Sequence, residues 1–292
     1  MTVRLSAPQW QAAADAHRDR LDALIGGYLA DRRRGAAHPV VDFLFTYYPY
    51  RPAHLRRWHP GFGTILDDPA TGEHPYAEAR GYERVPGGVQ VAGAHLLKRE
   101  RTLRTSAALL AATAARPARY GCFGLHEWAM VYRTGAPRHS MPLRLGAAGT
   151  DAVVEANRLV CTHFDAFRFF TGPARGRNAT RLHHDDRLDH EQPGCLHATM
   201  DLYRVAAKLS PLVPSDLVAD AFELAHTARE IDMRASPYDL TALGYEPIRI
   251  ETTAGRAEYV TRQQAVAGAG SALRQRLLTV IGDLIGALPA RE

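Results

Sequence analysis

The stretch that decides the fold is CLHATMDLYRVAAKLSPLVPSDLVADAFELAHTAREIDM, residues 195–233. Apolar residues recur at intervals of three and four on both sides of the proline-containing SPLVPS, which is typical of amphipathic helices. The pattern predicts one helix over about residues 195–209. It predicts a second over about residues 215–233, with Ser215 as its N-cap after Pro214.

Further helical patterns flank this pair. Ser6-Ala-Pro-Gln9 has the residues of a capping box, and the pattern that follows ends in arginines before Gly35. Helical spacing also covers residues 95–115, 122–132 and 261–287, and residues 159–170 fit either a strand or a buried helix.

The remaining segments indicate loops and small β elements. Residues 64–94 are rich in Gly, Pro and Asp, and residues 133–149 and 171–193 are loop-like. Residues 245–259 alternate and predict a hairpin with its turn at Thr253-Ala-Gly255. We expect a mainly α (α+β) protein: a helix-rich single globular domain over residues 1–292 with small β-hairpin additions.

Composition narrows the class of protein. Hydrophobic residues make up 46% of the 292, which is typical of a globular chain, and the formal charge is +5. This charge permits DNA binding without establishing it. No apolar run is long enough for a membrane span and the start lacks a signal-peptide pattern, so we expect a cytoplasmic protein without membrane contact.

Cysteine spacing and missing motifs exclude several kinds of site. Cys122, Cys161 and Cys195 form no CxxC pair, so we expect reduced thiols and no Cys2His2 zinc site. The sequence contains no P-loop, GxGxxG, HExxH or GxSxG motif. The common nucleotide-cofactor and α/β-hydrolase classes are therefore disfavoured.

Two imidazole–carboxylate pairs lie in helical patterns. His126-Glu127 stands in an apolar run, where burial would raise the pKa of Glu127 and suit it to general acid catalysis. His197 and Asp201 are four residues apart, so they share a helix face as a base and its orienting carboxylate. The alternatives are a solvent-facing Glu127 and a simple hydrogen bond within the core.

Other histidines suggest metal ligands. His163-x-Asp165 has the spacing found in facial-triad iron enzymes, and His183 and His184 stand in the polar loop LHHDDRLDH at residues 182–190. Under this hypothesis they would bind Fe or Zn. The alternatives are chance spacing for the first pair and a solvated loop for the second.

The segment from Asp42 to Gly63 interleaves aromatic residues with arginines, which is typical of surfaces that stack bases and contact phosphates. The alternative is ordinary core packing. The candidates for stacking and for phosphate contact are Tyr47, Tyr48, Trp58, Arg56 and Arg57.

The segment DMRASPYD at residues 232–239 follows a helix directly. Arg234 and Tyr238 are candidates there for holding a polar ligand. The alternative is a helix stop imposed by Pro237.

Three stretches carry a family resemblance: HPVVDFLFTYYPYRPAHLRRWHPG at residues 38–61, GLHEWAMVY at 124–132, and the segment from Gly194 to Leu240. They resemble an actinobacterial family commonly labelled 3-methyladenine DNA glycosylase. The Val85-Pro-Gly-Gly-Val89 turn resembles the hairpin of helix–hairpin–helix glycosylases, although the helix after it has no acid at the catalytic position.

The resemblance implies a base-excision enzyme that acts on alkylated purines in DNA without a cofactor. Such an enzyme flips the base, stacks it on aromatic rings and stabilises a cationic sugar with a carboxylate. The carboxylate candidates are Glu127 and Asp201.

The alternative hypothesis is a metal-dependent enzyme with non-haem iron or zinc and a small-molecule substrate. A third is a ligand-binding protein without catalysis. Polar groups inside apolar runs are costly unless they are paired. We therefore expect the motifs at 126–127, 163–165, 197–201 and 234–239 to line one pocket.

Overall fold

A computed structural model describes residues 3–36, 38–48, 50–70, 72–135, 137 and 139–289. It is 57% helical with 7% strand, which confirms the helix-rich fold with small β additions. Its α-helices are Ala7–Arg33 (α1), Val41–Thr46 (α2), Pro52–Leu55 (α3), Gly93–Ala114 (α4), Leu125–Ala129 (α5), Gly146–Glu155 (α6), Phe164–Phe167 (α7), Gly172–Arg175 (α8), Arg187–His190 (α9), Leu196–Leu209 (α10), Ser215–Arg234 (α11) and Thr253–Gly286 (α12). Short 3-10 helices cover His184–Asp186 and Thr241–Leu243.

The core is built around α10. This helix packs against α4, α11 and α12, and twelve of its fourteen residues are buried. Each large apolar side chain buried in this way contributes about 1.5–3 kcal/mol. The expected helix pair at 195–233 is confirmed, and polar residues of α10 necessarily lie in the interior.

A small sheet lies beside this core. Its strands are Val3–Leu5 (β1), Thr64–Asp67 (β2), Tyr82–Val85 (β3) and Gly88–Val91 (β4), in the order β1-β2-β4-β3. β1 is parallel to β2, and the other pairs are antiparallel, with Leu66 opposite Val89. A second apolar cluster between α1 and the sheet contains Trp10, Trp58, Leu66, Tyr76 and Val89.

The Pro86-Gly87 turn joins β3 to β4. Pro favours the first turn position, and Gly87 adopts a left-handed conformation with φ of +72°. Because the turn connects two strands, it does not form the helix–hairpin–helix element that Val85–Val89 resembles.

The hairpin expected over residues 245–259 is wrong. Thr252 caps α12 by accepting a hydrogen bond from the Gly255 backbone N–H, so the helix begins at Thr253. Gly255 is required there because a Cβ would lie 2.0 Å from the Arg249 carbonyl oxygen. Thr253 and Gly255, which suggested a turn, instead lie in the first turn of α12, where Gly255 allows a close approach to the preceding chain.

Smaller differences concern helix ends and loops. α11 begins with Ser215, whose hydroxyl accepts a hydrogen bond from the His59 backbone N–H instead of capping the helix. The segments expected as loops contain α6, α8 and α9, and residues 159–170 form only the short helix α7. In the described part of the chain, no helix combines the length and apolarity needed to cross a bilayer.

Candidate functional site

The site is formed where the short helix α5 meets α10 and the end of α11. Gly124 precedes α5 with a φ of +71°, and a Cβ on it would lie 3.2 Å from Ala235 and 3.4 Å from the Tyr259 ring. The Trp128 indole N–H donates a 2.8 Å hydrogen bond to the Ala235 carbonyl. These contacts fix α5, and with it His126 and Glu127, against α11.

His126, His197 and Asp232 form the first buried group, here called the Asp232 cluster. One potential ligand atom from each residue lies within 4.8 Å of the other two. The two histidine rings meet edge to face with centroids 4.6 Å apart. All three residues are at least 96% buried, so water does not surround their charges.

The His126 and Asp232 side chains face each other without forming a regular hydrogen bond. Nε2 of His126 lies 2.8 Å from Oδ1 of Asp232, yet both atoms lack a hydrogen-bond partner of acceptable geometry. His197 makes no side-chain hydrogen bond with another described residue. The ligand atoms of the three residues therefore lie close enough together to hold one ion between them.

Arg229 compensates part of the negative charge beside this cluster. Its Nη1 donates to Oε1 of Glu127 at 2.6 Å and to Oδ2 of Asp232 at 3.0 Å. Burial opposes ionisation of Glu127, but Arg229 and His126 outweigh it and hold the pKa of Glu127 at about 2. The expected rise in this pKa is wrong, because Glu127 is buried beside a guanidinium group.

The two histidines of the cluster titrate in opposite directions. Burial opposes protonation of His126, but the charge of Asp232 outweighs it and raises the pKa of His126 well above its ordinary value. Burial, reinforced by His126, lowers the pKa of His197 well below the ordinary value. His197 is therefore a neutral imidazole at physiological pH, the form that coordinates metals.

His163, Glu191 and Asp201 form a second buried group, the Asp201 cluster. Nε2 of His163 lies 3.2 Å from Oδ2 of Asp201 and 3.6 Å from Oε1 of Glu191. Arg187 bridges the two carboxylates, with Nε 2.6 Å from Glu191 and Nη2 3.0 Å from Asp201.

Asp201 is saturated by its neighbours. Besides His163 and Arg187, it accepts hydrogen bonds from Arg204 and, at 3.0 Å, from the Tyr48 hydroxyl. Burial opposes its ionisation, but Arg204, His163 and Arg187 outweigh it and lower the pKa of Asp201 well below its usual value. This carboxylate is a permanent anion held in an ion network.

The expected pairing of His197 with Asp201 is therefore wrong. The two residues are on successive turns of α10, but Asp201 contacts His163, whereas His197 is grouped with Asp232. The His163 ring lies 5.3 Å from the His197 ring, so the two clusters are adjacent.

A cavity of about 430 Å³ opens onto the Asp232 cluster. His126 and His197 line it together with all three cysteines. Burial raises the pKa of Cys161 and of Cys195, so these two thiols stay protonated at neutral pH. The polar residues that complete its wall are Arg119, Arg158, Thr162, Thr180, Gln192 and Gln263.

The rings of His126, His163 and His197 meet in one interior region, but His163 does not line the cavity that His126 and His197 share, so the expected single pocket is not confirmed for it. Arg234 is not part of that meeting point, because its guanidinium donates to the Glu246 carbonyl at 2.8 Å and lies 3.8 Å from Glu258. Tyr238 is buried with its ring 5.0 Å from that of His139. The prediction is therefore wrong for the 234–239 segment.

The other proposed metal ligands do not join either buried cluster. Asp165 is bound by Arg204 at 2.7 Å and is not a member of the group that contains His163. His183 and His184 are exposed; His184 lies 3.1 Å from the fully exposed Asp185, and its ring meets that of Phe164 edge to face. At His183 and His184 the segment thus matches the solvated-loop alternative, whereas Arg187 of the same segment binds the Asp201 cluster.

Most candidates for base stacking and phosphate contact are held in the protein's own packing. Tyr48 and Trp58 are buried, and Tyr47 stacks on Phe43 at a centroid distance of 4.8 Å. Arg56 forms an ion pair with Asp22 at 2.6 Å. Arg57 is exposed and has no side-chain partner among the described residues.

Sequence reasoning missed Asp232, Arg229 and Glu191 as site residues. Arg229 and Asp232 are spaced i, i+3 on the apolar face of α11, which also contains Phe222 and Ala225. Charged residues on such a face are seldom buried without a partner, so this signal was available in the sequence. Glu191 stands in a polar loop segment, where nothing marked its burial.

Comparison of the chain with protein-family models, with curated proteins and with solved structures gave no match.

Proposed function

We propose that the protein is a metal-dependent enzyme in which His126, His197 and Asp232 hold one divalent ion, Fe or Zn. The observation that carries this proposal is the 2.8 Å approach of His126 Nε2 to Asp232 Oδ1 without hydrogen-bond geometry. Two imidazoles and one carboxylate form a donor set that suits both ions and leaves coordination positions open. A metal there would supply Lewis acidity or an activated oxygen ligand to a substrate.

The neighbouring residues support this assignment by orienting the ligands. Arg229 holds the second oxygen of Asp232 and is itself fixed by Glu127. The Cys122 Sγ lies 3.5 Å from Nδ1 of His126, so the ring presents Nε2 to the cluster. Outer contacts of this kind fix ligand orientation in metal sites.

The cavity indicates the kind of substrate. A volume of about 430 Å³ accommodates a small molecule and not a folded macromolecule. Arg119 and Arg158 line it, and neither side chain has a partner among the described residues. Unpaired guanidinium groups favour a substrate with a carboxylate or another anionic group.

Metal analysis tests the proposal. Protein purified without chelator is expected to contain one Fe or Zn per chain by plasma mass spectrometry. His197→Ala is expected to lose that metal, whereas the exposed control His184→Ala retains it. A metal-free wild-type protein that gains no thermal stability from added Fe²⁺ or Zn²⁺ would overturn the proposal.

The family resemblance supports a second proposal, a DNA glycosylase. Arg57 is the residue that favours it, because it is exposed and has no side-chain partner among the described residues. Protein incubated with methylated duplex DNA would then release 3-methyladenine. Release that survives chelator treatment and His197→Ala supports the glycosylase over the metal enzyme. Without release, and without salt-dependent DNA binding, the glycosylase proposal fails.

A further inference from the structure

A groove on another part of the molecule concentrates unpaired positive charge. It encloses about 600 Å³ between the end of α3, the segment before β3, the start of α4 and the end of α10. Five cationic side chains line it, and no Asp or Glu is among its described lining residues. We call it the basic groove; its cations are Arg57, Arg80, Arg99, Arg204 and Lys208.

Four of these cations have no side-chain partner among the described residues. Arg204 is bound to Asp165 and Asp201, but no side-chain hydrogen bond or ion pair to a described residue is made by Arg57, Arg80, Arg99 or Lys208. Arginines elsewhere commonly pair, as Arg20 does with both Asp220 and Glu223. Bringing four unpaired cations together from separate elements costs repulsion that a bound anion would remove.

Burial and the positive charge of the basic groove lower the pKa of two groups that line it. Burial together with Arg99 and Arg80 lowers the pKa of His95, and burial together with Arg204 lowers that of Lys208. Nε2 of His95 is buried without a hydrogen-bond partner. Gly81, with a φ of +91°, packs directly on the His95 ring, so this wall is closely fitted.

We infer that the basic groove binds a small ligand with a chain of phosphates. The groove is larger than one phosphate needs, and its four unpaired cations match the charge of a triphosphate near neutral pH. The half-buried Tyr50 ring, with Ala79 and Pro211, offers an apolar wall beside the cations. Nucleoside triphosphates and inorganic polyphosphate share this chemistry.

Calorimetric titration of the full chain tests the inference and separates the two sources. Tripolyphosphate is expected to bind one-to-one, more weakly as salt rises, and inorganic monophosphate at least tenfold more weakly. Tighter binding of ATP or GTP than of tripolyphosphate would assign the apolar wall to a nucleoside. Equal binding would assign the site to polyphosphate itself.

Charge-matched variants provide the control. Arg80→Ser combined with Arg99→Ser is expected to weaken tripolyphosphate binding about tenfold or more, because charge-assisted contacts are lost. Arg18→Ser combined with Arg101→Ser removes the same charge outside the groove and should change binding less than twofold. Both variants should stay folded, because all four side chains are exposed or half-buried.

Three outcomes would overturn the inference: no binding by the wild type, equal weakening in both double variants, or binding of a long oligonucleotide without binding of any triphosphate. None of these outcomes bears on the metal proposal, because the groove shares no lining residue with the cavity at the Asp232 cluster.

Discussion

The Asp232 and Asp201 clusters have similar donor groups but different surroundings. Each contains histidine and carboxylate atoms within 4.8 Å of one another, fully inside the protein. At the Asp201 cluster, three carboxylates face three guanidinium groups. The carboxylates are those of Asp201, Glu191 and Asp165, and the guanidinium groups are those of Arg187, Arg204 and Arg168. Around Asp232, the two carboxylates of Asp232 and Glu127 face one guanidinium group, that of Arg229, and the imidazole of His126.

The difference shows what separates an ion network from a candidate metal site. At the Asp201 cluster the protein already supplies the compensating cations, and an added metal would lie beside two guanidinium groups. At the Asp232 cluster the second compensating charge is the proton of His126, which a bound metal would displace, and His197 has no hydrogen-bond partner among the described residues. Of the two clusters, this one has a compensating charge that a metal ion can replace.

The largest expected effect is on stability, at the Asp201 cluster. Asp201→Asn removes the charge that compensates Arg187, Arg204 and His163, and the free energy of unfolding should fall by about 3–5 kcal/mol. Urea denaturation measures the loss. If this variant is as stable as the wild type but has lost its metal, the Asp201 cluster holds the metal and the Asp232 cluster does not.

The next effect is on metal binding, at the Asp232 cluster. Asp232→Asn should lower metal affinity by about 100-fold or more, because the charged ligand is lost, while Glu127 continues to hold Arg229. Competition with a metallochromic chelator measures the affinity. Asp165→Asn is the matched control, since it changes an Arg204 partner outside the cluster. Similar loss in both variants would contradict the assignment.

The stability of the metal-free protein should also depend on pH, through the Asp232 cluster. The pKa of His126 is raised in the folded state, so its contribution to stability is full below about pH 6.5 and is lost as pH rises through the folded value. Denaturation of chelator-treated protein between pH 6 and 9 should show this decline. The decline should be smaller in His126→Gln; identical curves would remove the His126–Asp232 ion pair as its cause.

Metal should reverse that trend, because coordination requires the deprotonated imidazole. At a metal concentration 100 times the dissociation constant the gain in stability is about 2.7 kcal/mol. The gain should grow as pH rises and should vanish in Asp232→Asn.

The smallest effect is expected outside both clusters. His184→Ala should change the unfolding free energy by less than about 0.5 kcal/mol and leave the metal content unchanged, because its side chain is 73% exposed. Loss of metal in this variant would indicate that the polar loop supplies a metal ligand.

The sequence was most informative where one physical rule dominates. Periodicity located α10 and α11, because both bury an apolar face. The cost of burying polar groups correctly predicted that His126, His163 and His197 meet. It did not predict their carboxylate partners. Spacing along one helix paired His197 with Asp201, but Asp201 contacts His163, and His197 lies beside Asp232.

The failures have equally specific causes. The turn expected at 253–255 is a helix start, since Thr252 and Gly255 provide a cap and a close backbone approach. The sign of the pKa shift of Glu127 depends on Arg229, which is 102 positions away in the chain. The first depends on a close backbone approach to Arg249, and the second on a contact between residues that are distant in the chain.

The burial of α10 also limits how this chain can diverge. Substitutions at its twelve buried positions change a packed volume or break an ion pair, and enlarging such a side chain typically costs about 1–3 kcal/mol. Its two remaining positions, Arg204 and Lys208, both line the basic groove. Among relatives of this protein, substitutions along α10 should therefore concentrate at Lys208, because Arg204 is bound to Asp201. The ligand preference of the basic groove can then vary while the interior of the protein stays constant.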